Sequence, residues 1–594
     1  MVNARLQTTW LPDTVMVLPI DTERRMMKAV AGRDYYVSDS CGNDNNSGTS
    51  CEQPFKSLAK INDIKLQPGD RVLLKRGDTW NGQALRIKSG SAGSAQAPIE
   101  IKPYGEGNAR PVINANGQGR WYQDYHASIE LHRNKAEISS AVLLKDVSYL
   151  EISGLEVTND REMNPDADPK EFNDGLALDR TGIAGIAEDG PMRHIVVSDM
   201  YVHDVDGNIY DKHLANGGIY FIAHYPQSGK PATAEEEIAR FDDLQILNNR
   251  VEDVSRWGIA AGYTAYQNLI DQPQDGPIPD EVIAKYGSSR VVIRGNYVRD
   301  AGGDAITTMY CDRPLIEYNV SEGAAKFIND SDYLYPYNIE GPQESDWGRV
   351  AAAIWPWRCK NAVFQYNEAY NTRNAYNGNG DGQPWDADYG DGTIYQYNYS
   401  YGNSGATIMF CEKGSLHNVF RYNIAHSDGR GALDLSGQID AHVYNNTFIL
   451  ASGSSVITRG DAPAVIENNI FYKPDGVTQV TENWEAGNQT YDHNLYYNFS
   501  SLPEDLHKQV VAAGSALLRD DSAVPIAADR KARPHDGSTG STVFDGFKPV
   551  AGSAAINAGK PIIDANGSPV EKDFIGNPVA GRPTIGAIEA VSNQ

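Results

Sequence analysis

The stretch HNVFRYNIAHSDGRGALDLSGQID (417–440), followed at once by AHVYNNTFILASGSSVITRGDAPA (441–464), decides the fold. Each half holds short β-branched, aromatic and aliphatic runs broken by Gly, Asn, Asp or Ser; in the first they are His417 to Tyr422, Ile424 to His426 and Ala432 to Leu435. Runs this short, without apolar residues at helical spacing, read as strands. Asn423 and Asn446 hold equivalent places, and Asn249, Asn296, Asn319, Asn367, Asn398, Asn469 and Asn494 end similar runs elsewhere. The intervals along this series are 47, 23, 48, 31, 25, 23, 23 and 25 residues, a unit of 23 to 25 with insertions in the longer gaps. A period of that size means stacked units. Three strands per unit and no helix make an all-β chain, a single-stranded parallel β-helix of ten or more coils, rising about 4.8 Å per coil into a rod roughly 50 Å long. The asparagines are read as structural, because Asn tolerates the left-handed conformation of a sharp corner and stacked amides bond to one another.

Both ends differ from the repeats, as a solenoid with bare edges requires. The reading divides the chain into an extension (1–33), an N-terminal cap with the first coils (34–110), the β-helix (111–510), and the last coils with a C-terminal cap (511–594). Long loops are inserted at 263–289, 326–350 and 377–384. The opening phrase runs from Asp34-Tyr-Tyr-Val-Ser38 through Pro54-Phe-Lys-Ser-Leu58 to Gln67-Pro-Gly-Asp-Arg-Val-Leu-Leu-Lys75, and the closing phrases are Gly552-Ser-Ala-Ala-Ile-Asn-Ala-Gly559 and Ile585-Gly-Ala-Ile-Glu589. These resemble the right-handed parallel β-helix proteins of the pectate-lyase-like superfamily over the whole chain from Asp34. The resemblance implies a right-handed coil and a carbohydrate-active protein, with no single family singled out, because lyases, hydrolases, epimerases and adhesins share the fold.

The 594 residues carry 52 Lys+Arg against 78 Asp+Glu, a net charge of −26. Such acidity lacks the basic footprint that nucleic-acid binding needs. No run approaches the roughly 18 apolar residues of a membrane span. Val15 to Ile20 is a short apolar patch without the flanks of an export signal. Cys41 and Cys51 lie close together in a Gly/Asn/Ser-rich loop, where a disulfide is expected. That bridge, and a glycan-degrading role, place the protein outside the cytoplasm, secreted or periplasmic; a monomer is expected. Cys311 and Cys359 each precede their corner asparagine by eight residues, which puts them in neighbouring coils.

The insertions flank one strand stack, and long loops cluster on the working face of a solenoid. In stack order the strands read Ile306-Thr-Thr-Met-Tyr310, Ile354-Trp-Pro-Trp-Arg358, Trp385-Asp-Ala-Asp-Tyr389, Ile408-Met-Phe-Cys-Glu412, Leu433-Asp-Leu-Ser436 and Val456-Ile-Thr-Arg459. With the first residue of each inward, alternation sends Trp355, Trp357, Asp386, Asp388, Met409, Cys411, Asp434 and Arg459 outward, whereas a one-residue slip exposes Arg358, Tyr389 and Glu412. Asp386 and Asp388 stand about 6.5 to 7 Å apart on one face, close enough to flank a glycosidic oxygen. Close carboxylates in a desolvated cleft drive their pKa values apart, which suits an acid and a base. Glu412 and Asp434 are the further candidate catalytic acids. Trp355 and Trp357 offer faces for sugar stacking, and Arg358, Tyr389, Lys413 and Arg459 complete the expected substrate contacts. Polygalacturonases, iota-carrageenases and β-helix lacto-N-biosidases use acidic pairs or triads along a strand stack, and Trp385-Asp-Ala-Asp388 is similar in kind. The alternative use of these acids is a calcium site with Asp381 and Asp391; no cofactor is otherwise required.

A glycoside hydrolase is therefore expected, with one of Asp386 and Asp388 protonating the leaving oxygen and the other acting as nucleophile or base. A polysaccharide lyase is the first alternative, its base and neutralising shell drawn from Arg358, Tyr389, Lys413 and Arg459. The acid density disfavours an anionic polymer and so disfavours the lyase. A non-catalytic glycan-binding β-helix is the second alternative; it needs the aromatic cleft but not the paired acids.

Overall fold

The computed structural model describes residues 32–127, 134–160, 178–209, 211–266, 276–327, 351–373, 381–460, 462–484, 487–526, 542–563, 570–579 and 581–590. The extension before residue 32 and nearly all of the 326–350 insertion, including Tyr333, Tyr335, Tyr337, Asp346 and Trp347, lie outside the described residues.

Three parallel sheets of 16, 14 and 12 strands run side by side. In the second sheet the strands from Thr79–Asn81 to Gln509–Val511 pair in strict chain order, one per coil. Fourteen strands in register make a parallel β-helix of more than ten coils, about 60 Å long. Alternation turns one side chain per short strand into the rod. Phe364 stacks on Tyr395, and Phe420, Phe448 and Phe471 follow in line, all fully buried. Among the described residues no helix is long and apolar enough to cross a membrane.

The nine asparagines form one continuous ladder. From Asn296 to Asn494 each side-chain oxygen accepts the backbone N–H and the Nδ2–H of the asparagine one coil earlier, at 2.9–3.1 Å. Asp505 replaces the next asparagine and ends the ladder, accepting both bonds from Asn494 at 3.0 Å. The left-handed corner residue is not the asparagine but the one before it: Tyr318, Tyr366, Tyr397, Tyr422, Asn445, Asn468 and His493 have φ between 50° and 59°. The asparagine is selected for its amide, which satisfies backbone groups buried at the corner.

At the N-terminal end the short helix Ala59–Asn62 forms within the opening phrase, and Leu58, Ile61 and Leu66 join the core. Cys41 and Cys51 correct the expected disulfide: both are free and exposed. The Cys41 thiol lies 3.1 Å from Ser38 Oγ and 3.5 Å from Lys75 Nζ, whereas that of Cys51 turns to Glu52. Cys311 and Cys359 are buried neighbours, the Cys311 N–H donating to Cys359 Sγ at 3.4 Å.

Among the described residues no strand after Gln509–Val511 joins the three sheets. After Gln509–Val511 the chain folds back along the outer face of the second sheet. Tyr370 and Tyr397 donate to the carbonyls of Pro525 and Lys572, and Thr447 Oγ1 accepts the N–H of Ala587. That face is apolar: Tyr399, Ile424, Ile470 and Leu495 at one position of each rung, and Tyr370 and Tyr472 at another, pack under Phe544, Phe547, Phe574 and Ile585. A sheet apolar on both faces must be covered on both.

Candidate active site

The third sheet carries the rung predicted to hold the chemistry. Ile306, Ile354, Trp385, Ile408 and Leu433 align and point into the core. The expected last rung is one residue out of step, for Ile457 rather than Val456 pairs with Leu433. The outward column next to the core is Thr307, Trp355, Asp386, Met409 and Asp434; the second is Met309, Trp357, Asp388, Cys411 and Ser436. The alternation read from the sequence is the one adopted.

Asp386 and Asp388 differ in surroundings. Asp386 is 4% exposed; Oδ2 accepts from Gln383 Nε2 at 3.2 Å, while Oδ1 is buried with no hydrogen-bond partner among the described residues. Asp388 is half-buried, and its Oδ1 is likewise without a hydrogen-bond partner there. Burial, then the Asp388 and Asp381 charges, push Asp386 well above the usual carboxylate range. Asp388 is also pushed well above it, by burial and then by Asp381. Asp381, expected as a calcium ligand, thus belongs to the acid cluster. It is half-buried, and burial raises its pKa while the Arg459 and Arg430 guanidiniums and the Lys212 ammonium oppose the rise.

The other expected acids play lesser parts. Asp434 is committed to Arg459, whose Nε lies 2.7 Å from Oδ2, and to the Ser436 hydroxyl at 2.6 Å. Glu412 is exposed on the rim and accepts from the Tyr389 hydroxyl at 3.2 Å. Asp391 pairs with Lys360 at 2.9 Å and His417 at 3.2 Å, and among the described residues it forms no cluster of metal-ligating atoms with Asp381.

The tryptophans are more buried than stacking platforms should be. Trp355 is 9% exposed and donates its indole N–H to Asp304 Oδ1 at 2.9 Å; Trp357 packs against Tyr263 and Tyr310. Trp357 keeps partial exposure beside Asp388, its neighbour across the rung. Arg358 corrects another expectation. At 1% exposure, with Nη1 donating to the Gly276 carbonyl at 3.2 Å, it anchors the 263–289 insertion rather than meeting a substrate. It sits on a left-handed corner (φ 51°), which turns its side chain off the alternating face. Lys413 is exposed on the rim, and Arg459 keeps partial exposure while its Nη2 approaches Met409 Sδ at 3.3 Å.

Sequence reasoning missed the turn that enters the third sheet. In five of seven consecutive coils it supplies a charged residue, Lys212, Arg256, Asp304, Asp381 or Arg430, each within five residues of the strand that follows. Arg256 and Asp304 form a buried ion pair at 3.1 Å. Lys212 is brought down to about 8, first by burial and then by Arg256, against the pull of Asp304, Asp381 and Asp388. This charged column beside the acidic rung is a signal that alignment of the coils exposes.

No family model matches the chain. A lacto-N-biosidase from Bifidobacterium longum subsp. longum is 49% identical over 591 residues, 94% of this chain and 36% of that protein. The chain thus spans about a third of the length of that curated relative. Two crystal structures of a GH136 lacto-N-biosidase from Eubacterium ramulus are each 38% identical to it. They superimpose with TM-scores of 0.65 and 0.66, over 78% and 76% of this chain and 67% and 68% of theirs. The chain belongs to the GH136 lacto-N-biosidase family of glycoside hydrolases.

Proposed function

We propose that this chain is a glycoside hydrolase that releases lacto-N-biose from oligosaccharides, with Asp388 as proton donor and Asp381 as the ionised partner. The substrate is the one in the names of its relatives. The observation that carries the catalytic assignment is the way the surroundings separate three neighbouring carboxyls. Asp388 faces Asp381 in a desolvated niche and is held protonated; Asp381 faces Arg430, Arg459 and Lys212, which favour its anion. Unlike environments sort an acid from a nucleophile or base. Asp386, buried and bound by Gln383, acts as a positioning residue beside this pair. The lyase alternative loses Arg358, which is buried in the loop anchor.

The test uses two substrates, a lacto-N-biose-terminated tetrasaccharide and the p-nitrophenyl glycoside of the same disaccharide. Nitrophenolate leaves without a proton, so Asp388→Asn should lose turnover of the tetrasaccharide while keeping much of it on the nitrophenyl glycoside. Asp381→Asn should lose both. Full turnover of the tetrasaccharide by either variant would remove the assignment.

A further inference from the structure

Far from the acidic rung, where the asparagine ladder ends, three side chains of metal-binding type converge. Asp492 closes the strand Gln489–Asp492, His493 is the left-handed corner residue after it (φ 56°), and His507 lies two residues beyond Asp505. One ligand atom from each lies within 4.8 Å of the other two. His507 Nδ1 is 2.8 Å and His493 Nδ1 3.0 Å from the same oxygen, Asp492 Oδ1, and the two rings stack at 4.4 Å.

Hydrogen bonding accounts for only half of this arrangement. His507 is aligned with the carboxylate, but His493 Nδ1 is buried and makes no hydrogen bond among the described residues despite its short distance. That nitrogen is thus left with its lone pair or proton uncommitted, within 4.8 Å of the ligand atoms of Asp492 and His507. The histidines are also held in place. Both backbone N–H groups donate to Asp505 Oδ1, at 3.1 and 3.2 Å, and the other oxygen of Asp505 terminates the ladder. The Lys560 ammonium pairs with the second oxygen of Asp492, at 3.0 Å, and with Glu467, leaving Oδ1 to the imidazoles.

We infer that Asp492, His493 and His507 form a site for a divalent transition-metal ion of the zinc type, bound by two imidazole nitrogens and one carboxylate oxygen with a fourth position open to water. Imidazole and carboxylate suit zinc better than calcium or magnesium. Bonds of about 2.0–2.1 Å in a tetrahedron set neighbouring ligand atoms roughly 3.3 Å apart, a small outward movement from the distances above. Such an ion would tie the last complete coil to the segment that ends the ladder, so its effect should be on stability and not on catalysis.

The experiment is calorimetric titration of the untagged, chelator-stripped chain with zinc chloride, paired with thermal melts and with circular dichroism of the variants. One equivalent is expected at micromolar affinity or tighter, with a rise in Tm. His507→Ala, a change at an exposed side chain, should keep the spectrum and weaken binding by at least about tenfold. Asp492→Asn serves as the second variant and should weaken binding in the same way. Absence of binding to the native chain at millimolar zinc, or native affinity in both variants, would overturn the inference.

Discussion

The second and third sheets come from the same repeat and meet opposite fates on their outer faces. On the second sheet the outward residues are Tyr399, Ile424, Ile470 and Leu495, and a returning C-terminal segment covers them with Phe544, Phe547 and Phe574. On the third sheet the outward residues at the centre are Asp386, Asp388, Met409 and Asp434, and what lies beside them is charged: Asp381, Lys212, Arg430 and Arg459. Burial of apolar area stabilises the first flank by about 25 cal/mol per Å². Burial of carboxyl groups destabilises the second, and in the proposed mechanism that cost holds a proton donor at neutral pH. One flank secures the rod and the other strains it for chemistry.

This contrast can be broken from either side. The largest effect is expected from Asp388→Asn, with tetrasaccharide kcat down by roughly 10² to 10⁴ and an unchanged circular dichroism spectrum. Phe574→Ala should do the reverse, lowering stability by about 3–5 kcal/mol in a denaturant titration while substrate kinetics at low temperature stay native. Asp386→Asn should sharpen the comparison, because its carboxyl pKa is raised in the folded chain. A raised carboxyl pKa stabilises the fold at low pH, and this contribution is lost as pH rises from the unfolded value toward the folded one. The variant should therefore melt higher than native at neutral pH, by roughly 1–2 °C, and the gain should vanish near pH 4. Activity on the tetrasaccharide should fall on the alkaline side as Asp388 loses its proton, read from the kcat–pH profile. The smallest effect is expected from a reductant: with Cys41 and Cys51 free, dithiothreitol should change stability by less than about 0.5 kcal/mol.

What the sequence disclosed follows from periodicity. The corner asparagines and the alternation around Trp385-Asp-Ala-Asp388 repeat from coil to coil, so their stacking and facing could be read before any coordinates. Three things fall outside that reading. The C-terminal segment has no period, and its return along the second sheet depends on Phe574 and Ile585 meeting tyrosines more than a hundred residues earlier. Arg358 breaks the alternation because a left-handed corner rotates it, and Tyr310 and Tyr389 have the same backbone conformation. Lys212 reaches the acids from several coils away, across a turn whose length varies from coil to coil. The misplaced strand at Ile457 has the same origin, a one-residue difference in the turn ahead of it.

The ladder from Asn249 to Asp505 has a consequence for how this chain can change. Because every coil is indexed to its neighbour through one amide, the length of chain between two rungs is left unconstrained, and here it already ranges from 23 to 48 residues. New material can be spliced into the turns around the third sheet without shifting any strand out of step, since the next asparagine resets the count. The same row makes the corner itself intolerant: a residue added between a strand and its asparagine would disconnect two coils at once. A lineage of such rods is free to remodel the loops around its third sheet and is held almost immobile along this single edge.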